Sequence, residues 1–329
     1  MSAAEVGSRR FPDLDGSRDR IEARPGKLRV AVIGATGSVG RQVCGAFSAR
    51  GHTVLAIARN HAAQVSGYEF VALDVAAAAA ETIAGLLSSA RLDVVVNAAG
   101  RWGPTEAEML HSHVRLVGRV LEAMALLAGP RPRLVHLGTV HEYGEVPAGI
   151  LVHEGIEPNP TKLYAKVKLE CSQAILDATK AGYANGVVLR AANMFGPYPP
   201  AETFFAGLLR QLRESGAQDR PIELGIADAK RDFVDVRDVA AAVVKAAEAP
   251  VAGRVINIGR GVAVDMRELV LLFVEAAGFP LERLKMERKE VRSQGGDWTR
   301  IDIGLARELL GWTPRIAARE SMRAMWESR

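Results

Sequence analysis

The 329-residue sequence predicts an α/β fold: a doubly wound parallel sheet followed by a smaller, mixed C-terminal substrate lobe. Three observations lead to this prediction. Short apolar runs alternate with longer helical stretches as far as Arg190, a glycine-rich turn joins the first run to its helix, and the alternation becomes irregular after Arg190. Alternation at this spacing is typical of parallel strands joined by right-handed helical crossovers.

The predicted elements follow in order. Leu28–Ile33 is continuously apolar, as expected of a strand that is buried on both faces of a parallel sheet. Further short apolar runs predict strands at 53–58, 70–73, 94–96, 133–137 and 187–189. Longer stretches predict helices that end near residue 50 and that span 76–89, 105–127 and 161–181.

The C-terminal part contains a proline cluster, Pro197–Pro200, that interrupts regular structure. Beyond it the pattern predicts helices at 204–214, 234–247, 266–277 and 305–310, and a strand at 254–258. We therefore expect a nucleotide-binding domain over 28–190, to which 235–260 returns, and a lobe over 191–329 that mainly binds substrate. Residues 1–27 are rich in charge, glycine and serine, and predict a flexible leader or an arm that packs on a partner subunit.

Composition excludes several classes of protein. The formal net charge of +4 is spread along the chain, which gives no support for nucleic-acid binding. Two cysteines, Cys44 and Cys171, are too few for a disulfide framework or a structural zinc site, and no metal site is predicted. No apolar run reaches about 18 residues, so no membrane span is expected. Without a secretory signal either, we expect a cytoplasmic protein.

A GxxGxxG string follows the first strand directly and precedes a helix. In this context Gly34 permits a tight turn, Gly37 lets the backbone approach a pyrophosphate, and Gly40 lets the helix pack on the strand. The helix N-terminus adds its free amides and its positive dipole end. We therefore predict a dinucleotide site. The predicted contacts in this loop are Gly34, Thr36, Gly37, Ser38, Val39 and Gly40.

The end of the second strand indicates which dinucleotide binds. An NAD site usually carries a carboxylate there, whereas this chain has Ala58-Arg59-Asn60. Because Arg59 can form a bidentate pair with a 2′-phosphate, we expect NADP(H), with Asn60 beside it.

Two further strand ends complete the predicted cofactor site. Asp74, followed by Val75, is placed to accept a hydrogen bond from the adenine amine. Small residues after the fourth strand let its backbone pass close to the cofactor. They follow Asn97 in the predicted contact set Asn97, Ala98, Ala99 and Gly100.

Tyr164 and Lys168 lie four residues apart, on one face of a predicted helix. Thr139 follows the fifth strand, at the edge of the sheet where ligands bind. Hydride transfer to a carbonyl carbon leaves charge on its oxygen. Tyr164 would protonate that oxygen, Thr139 would donate a hydrogen bond to it, and Lys168 would favour the phenolate.

The order of these motifs resembles that of the extended short-chain dehydrogenases/reductases, specifically the nucleotide-sugar epimerase/dehydratase group. The resemblance implies a Rossmann-like fold. The resemblance runs from about Leu28 to Pro314. The further segments that carry it are Arg190-Ala-Ala-Asn193-Met-Phe-Gly196-Pro197, Arg231-Asp232-Phe233-Val234, Asp238-Val239-Ala240, Arg292, Asp302 and Leu310-Gly311-Trp312-Thr313-Pro314.

The resemblance implies a nucleotide-sugar substrate whose diphosphate is bound by Asn193, Arg231 and Arg292. It also implies a homodimer formed through the helices at 105–127 and 161–181. Trp102 is a candidate for lining the sugar or base pocket. His113 stands where relatives usually have asparagine.

Departures from the family pattern narrow the expected reaction. Dehydratases of the group carry Asp-Glu after the catalytic threonine, whereas this chain has Val140 and His141. Elimination lacks its acid–base pair here, and the predicted cofactor is NADP(H). Together these two observations favour a ketoreductase that resembles the dTDP-4-keto-6-deoxyhexose 4-ketoreductases. His141 is then a substrate contact or a structural histidine. The alternatives are a nucleotide-sugar epimerase, a reductase of a non-sugar carbonyl compound, and a non-catalytic NADP-binding scaffold.

Overall fold

A computed structural model describes residues 26–100, 103, 105–218, 220–289 and 296–328. Most of the predicted leader, Trp102 and Arg292 lie outside the described residues. No helix in the described ranges is long and apolar enough to span a bilayer.

The described chain alternates strands and helices. The strands are β1 (Arg29–Ile33), β2 (Thr53–Ala58), β3 (Glu69–Ala72), β4 (Val94–Asn97), β5 (Arg133–Thr139), β6 (Asn185–Ala191), β7 (Asn193–Phe195), β8 (Ile222–Ile226), β9 (Lys230–Asp235), β10 (Val255–Ile258), β11 (Ala263–Asp265) and β12 (Leu284–Arg288). The helices are α1 (Ser38–Ala49), α2 (Ala80–Ser89), α3 (Glu106–Leu110), α4 (Leu116–Ala125), α5 (Leu163–Lys180), α6 (Phe204–Gln218), α7 (Val236–Glu248), α8 (Met266–Ala276), α9 (Gly304–Leu310) and α10 (Ala318–Glu327).

The main sheet has seven parallel strands in the order β10-β6-β5-β4-β1-β2-β3. This confirms the predicted doubly wound fold. The strand order reverses between β1 and β4, where Ile33 is in register with Asn97. In open α/β sheets this reversal leaves a crevice at the carboxyl ends of the strands. The crevice is therefore the place at which a ligand is expected.

Apolar side chains cover both faces of the sheet. Phe47 of α1 and Val243 of α7 are buried in the core of one face, and Leu121 of α4 and Ile175 of α5 in the core of the other. Strands covered on both faces read as continuous apolar runs, which is why the sequence predicts them well.

The smaller lobe has its own core and two small sheets. Phe205, Phe273 and Met325 are buried there, from α6, α8 and α10 respectively. The sheets have the orders β11-β9-β7 and β12-β8. Apart from the run at 254–258, the sequence did not predict strands in this part of the chain. These strands have only three to six residues, and although β8 alternates buried and more exposed positions, runs this short are weak signals whose pairing is decided by tertiary contacts.

Several predicted helices differ from the observed ones. The helix expected at 76–89 begins at Ala80, after a turn, and the helix expected at 204–214 continues to Gln218. The helix expected at 234–247 begins instead at Val236, because β9 continues to Asp235, whose carboxylate then caps the helix by accepting the Arg237 N–H. The helix expected at 105–127 is interrupted by a π-helical turn over His111–Arg115. Such turns are frequent at functional sites, and this one carries the buried His113.

Asp232 attaches the C-terminal segment to the sheet of the small lobe. Its fully buried carboxylate accepts the backbone N–H groups of Arg260, Gly261 and Ile301, at 2.7, 2.8 and 3.2 Å. Burial raises the pKa of Asp232, and these amide hydrogen bonds oppose that rise.

Asp238 makes a second attachment, at the start of α7. Its carboxylate accepts the N–H groups of Arg315 and Ile316, and its carbonyl accepts the indole N–H of Trp312. The segment around Trp312, one of the motifs that carry the family resemblance, therefore has a structural role in this chain.

We predict that Asp232→Asn lowers the free energy of unfolding by about 2–4 kcal/mol, because buried amides lose a charged acceptor. Asp228→Asn is the matched control. Asp228 pairs with Arg288 on the surface, so its change is expected to stay within about 0.5 kcal/mol. Urea unfolding measures both, and equal losses in the two variants would contradict the assigned role of Asp232.

Candidate active site

The glycine turn brings the ends of β1 and β4 into contact. Gly34 has a φ of +80°, and a Cβ there would lie 2.8 Å from the Ala99 backbone. A Cβ at Gly40 would lie 2.1 Å from the Gly34 carbonyl oxygen, so α1 packs directly on the turn. These approaches leave no room for side chains. The turn therefore has the shape of a cradle that fits a dinucleotide pyrophosphate.

The start of α1 offers free backbone amides to an anion. α1 begins at Ser38, no side chain caps its N-terminus, and its first turn carries no acidic residue. Gln64, which the sequence did not single out, donates to the Thr36 carbonyl at 2.9 Å and so braces the loop.

Arg59 and Asn60 directly follow β2 at the same edge of the sheet, and both are exposed. Neither side chain has a hydrogen bond or an ion pair within the described part of the chain. The Arg59 guanidinium is therefore accessible to an anionic ligand.

Asp74 has two local contacts. One carboxylate oxygen accepts the N–H groups of Ala76 and Ala77, at 3.1 and 3.3 Å, and the other lies 3.6 Å from Nε2 of His111. The side chain is 38% exposed, so the carboxylate can still reach a ligand. Val75 is buried in the core between the sheet and α2.

The residues after β4 connect the cofactor crevice to the reacting groups. Asn97 is buried; its Oδ1 accepts the Ala99 N–H at 3.2 Å, and its amide nitrogen lies 3.1 Å from Nδ1 of His136. A Cβ on Gly100 would lie 3.4 Å from the His113 ring and 3.8 Å from Nζ of Lys168. The backbone at Gly100 therefore passes directly beside the Lys168 ammonium.

Lys168 is buried, and its ammonium donates to the Leu137 carbonyl at 2.5 Å. Tyr164, one turn earlier on α5, is half-buried. Its ring centroid lies 5.8 Å from that of His113 and 6.5 Å from that of His141. The tyrosine is thus placed between two histidines at the carboxyl edge of the sheet.

Thr139 ends β5 and caps the 3₁₀ turn Val140–Tyr143. Its hydroxyl accepts the His141 N–H at 3.4 Å, and its own N–H donates to Glu142 at 2.8 Å. His141 therefore touches both candidate catalytic groups, the Thr139 hydroxyl through its backbone and the Tyr164 ring through its side chain.

The electrostatics of the site differ from the sequence-based expectation. Burial, and secondly the negative charge of Glu142, raise the pKa of Tyr164 above its ordinary value. Burial lowers the pKa of Lys168. The sequence analysis expected Lys168 to favour the phenolate form of Tyr164. Contrary to that expectation, the ligand-free site does not favour the phenolate. It keeps the phenol protonated, which is the form that can donate a proton.

His141 is held neutral. Burial and, secondly, the positive charge of Arg231 together lower its pKa to about 4. His136 is buried beside Lys168 and His113, and its pKa is lowered by burial and by those neighbours. Both histidines are therefore uncharged near neutral pH.

Of the predicted diphosphate contacts, Asn193 and Arg231 lie on the small lobe, and Arg292 is outside the described residues. Asn193 begins β7, and its amide donates to the Asp232 carbonyl at 3.2 Å. Nε and Nη2 of Arg231 donate to the Gly296 carbonyl, at 3.0 and 2.7 Å, and Arg231 lies 3.9 Å from Asp297. The guanidinium of Arg231 is partly engaged by this segment. Its positive charge lowers the pKa of His141, which follows Thr139 by two residues.

Sequence reasoning missed the buried pair Glu142–Arg190, which has a separation of 2.8 Å between Oε2 and Nε. A signal was present, because Thr139-Val-His-Glu142 has the spacing of a capping box. Arg190 was noted as part of the family resemblance alone.

Comparison with known proteins places this site in a family. Residues 30–259 match the model of the NAD dependent epimerase/dehydratase family. The chain is 38% identical over 301 residues to a dTDP-6-deoxy-L-talose 4-dehydrogenase (NAD(P)(+)) of Kitasatospora kifunensis, which covers 91% of this chain and 94% of the relative.

A second relative and one solved structure also resemble this chain. A GDP-6-deoxy-D-mannose reductase of Pseudomonas aeruginosa is 30% identical over 254 residues, with 72% of this chain and 81% of the relative covered. The solved structure of MoeE5 in complex with UDP-glucuronic acid and NAD has a TM-score of 0.78 at 25% identity, with 92% of this chain and 98% of that chain covered.

The family match covers well over half of the chain and includes the glycine turn, Thr139, Tyr164 and Lys168. It confirms the family resemblance and the predicted NAD(P)-dependent chemistry. The chain belongs to the NAD dependent epimerase/dehydratase family, and it is an NAD(P)-dependent oxidoreductase of that family.

Proposed function

We propose that this chain is an NADPH-dependent reductase of the keto group of a nucleotide-activated sugar, specifically a dTDP-4-keto-6-deoxysugar. The observation that carries the proposal is the position of the half-buried Tyr164. It lies one turn before the buried Lys168 on α5, with its ring 6.5 Å from that of His141, whose N–H donates to the Thr139 hydroxyl. Burial raises the pKa of Tyr164 and so favours the protonated phenol. A phenol in this state is a general acid for a carbonyl oxygen.

The residues of the crevice fit the proposed cofactor. The Gly34–Gly40 turn would hold the pyrophosphate, and the exposed Arg59 would pair with the 2′-phosphate. When bound, NADPH supplies a hydride to the carbonyl carbon.

The chain's own groups complete the reduction. Tyr164 gives its proton to the carbonyl oxygen, to which the Thr139 hydroxyl donates a hydrogen bond. The phenolate that remains on Tyr164 is stabilised by the positive charge of Lys168. Solvent then returns a proton to Tyr164.

The three residues that follow Thr139 support reduction over elimination, because they offer no carboxylate that can reach the substrate. Val140 and His141 stand where an acid–base pair is needed, and neither is a carboxylate. Glu142 is the next residue, but it is fully buried and is hydrogen-bonded to Thr139 N–H and to Arg190. A carboxylate held in this way does not reach a substrate proton.

The relatives support the substrate class. One is named for oxidation at C4 of dTDP-6-deoxy-L-talose, which is the reverse of the proposed reduction, and another is named for reduction of a GDP-6-deoxysugar. Asn193, Arg231 and Arg292 are the proposed contacts of the diphosphate, because guanidinium and amide groups match its oxygens.

We also propose that the chain is a homodimer through α4 and α5. Support comes from large apolar side chains that are exposed on or beside these helices, namely Leu110, Leu126 and Leu163.

A panel of 4-keto sugars tests the reaction. We expect dTDP-4-keto-6-deoxysugars to consume one NADPH per sugar, followed at the nicotinamide absorbance, with slower turnover of UDP and GDP counterparts. Epimerised sugar without net NADPH consumption would contradict the proposal and would favour an epimerase. Reduction of simple ketones in preference to every nucleotide sugar would favour the non-sugar alternative.

The cofactor preference is tested by Arg59→Ala. We expect the Kd of NADPH to rise about 10- to 100-fold, since a charge-assisted contact is worth about 1.5–3 kcal/mol, and that of NADH to change less than about threefold. Arg319→Ala on α10, which removes a surface arginine paired with Glu275, is the control. An unchanged NADPH preference in Arg59→Ala would show that Arg59 does not bind the 2′-phosphate.

The pH profile tests the state of Tyr164. Because its pKa is raised and reduction needs the protonated phenol, we expect kcat/KM to stay constant from pH 6 to 9 and to fall only at higher pH. His141, with a pKa of about 4, adds no acid limb in this range. Tyr164→Phe should lower kcat about 10²- to 10⁴-fold, and Tyr68→Phe is its control. A fall in kcat/KM below pH 8 would contradict the raised pKa.

A further inference from the structure

Glu142 is a fully buried carboxylate at the catalytic edge, and both of its oxygens are occupied. Oε1 accepts the Thr139 N–H at 2.8 Å, and Oε2 accepts the N–H of Arg190 Nε at 2.8 Å. In return, the Thr139 hydroxyl accepts the backbone N–H of Glu142, which completes a reciprocal capping box, and it also accepts the His141 N–H.

The residues around Glu142 and Arg190 leave space for this ion pair. Gly138 is in register with Arg190, and a Cβ at Gly138 would lie 2.6 Å from Oε1 of Glu142. A glycine at this position therefore leaves the space that the carboxylate fills. The guanidinium of Arg190 also lies over the ring of Tyr143, 4.5 Å from its centroid.

The network extends to a neighbouring strand. The Tyr143 hydroxyl donates to Oδ1 of Asn257 at 2.8 Å, and the Asn257 N–H donates to Glu154 at 2.8 Å. The turn that carries Glu142 is thus fixed on both sides, by β6 through Arg190 and by β10 through Asn257.

A buried ion pair is not in itself a good way to stabilise a fold, because two charges must be removed from water. Here its placement has a specific consequence. It fixes the backbone of Thr139, and the capping box occupies an acceptor side of the Thr139 hydroxyl. The hydroxyl hydrogen is then the part of the group left to donate.

We propose that Glu142, held by Arg190, is a positioning residue that orients the Thr139 hydroxyl toward the carbonyl oxygen of the substrate. This inference rests on the proposed ketoreductase function. It gives Glu142 no proton-transfer step, because both carboxylate oxygens are occupied within the protein.

A double-mutant cycle tests the proposal. We expect Glu142→Ala to lower kcat about 100-fold in the wild-type background and less than threefold in a Thr139→Ala background, because the hydroxyl that it positions is then absent. Glu142→Gln should keep kcat within about tenfold of the wild type, since its amide oxygen still accepts the Thr139 N–H. Equal losses in both backgrounds would overturn the proposal.

The variants need a measure of folding that does not depend on turnover. The Kd of NADPH, measured by fluorescence, should stay within about threefold of the wild type in each variant, and Glu275→Ala on α8, which removes an exposed partner of Arg319, is the surface control. If Glu142→Ala does not fold, Arg190→Lys takes its place in the cycle. We then expect a kcat loss of about tenfold in the wild-type background only, and a loss of equal size in both backgrounds would again overturn the proposal.

One readout separates this inference from the proposed function. The amide proton of Thr139 should shift in the NMR spectrum of Glu142→Ala, because it loses a carboxylate acceptor. If the wild type reduces no sugar of the panel but this shift occurs, the proposed substrate is wrong and the positioning of Thr139 stands. An unchanged Thr139 amide proton overturns the positioning, whatever the substrate.

Discussion

The relative placement of Tyr164 and Thr139 depends on the hydrogen bond between the buried Lys168 ammonium and the Leu137 carbonyl. Lys168 lies one turn after Tyr164 on α5, and Leu137 lies two residues before Thr139 on β5. The bond therefore brings the phenol and the hydroxyl to the same edge of the sheet. A buried ammonium without a partner is costly, so α5 cannot shift along β5 without exposing or stranding the charge.

Charge at this edge is arranged so that Tyr164 stays protonated. Burial raises its pKa, and the carboxylate of Glu142 acts in the same direction. His141 remains neutral because it is buried near the positive charge of Arg231. The resting site therefore holds a proton on the phenol, which suits reduction of a carbonyl group better than deprotonation of an alcohol.

The two parts of the chain are joined by buried carboxylates as well as by apolar contacts. Asp232 and Asp238 accept backbone amides from segments that lie tens of residues further on, including the segment that ends at Ile316. This explains why motifs typical of the family occur far from the crevice. These motifs join the small lobe to the parallel sheet, at a distance from the edge where Thr139, Tyr164 and Lys168 lie.

The sequence by itself determined the parallel sheet and the glycine turn, and it singled out Thr139, Tyr164 and Lys168 as candidates, because these are local patterns of apolar runs, spacing and strand–turn–helix order. It did not determine the contacts between distant residues. Glu142 meets Arg190 across 48 residues and Asp232 meets Ile301 across 69, and the sign of the Tyr164 pKa shift depends on burial. Only the tertiary structure decided these, since burial and electrostatic partners arise when separate elements pack together.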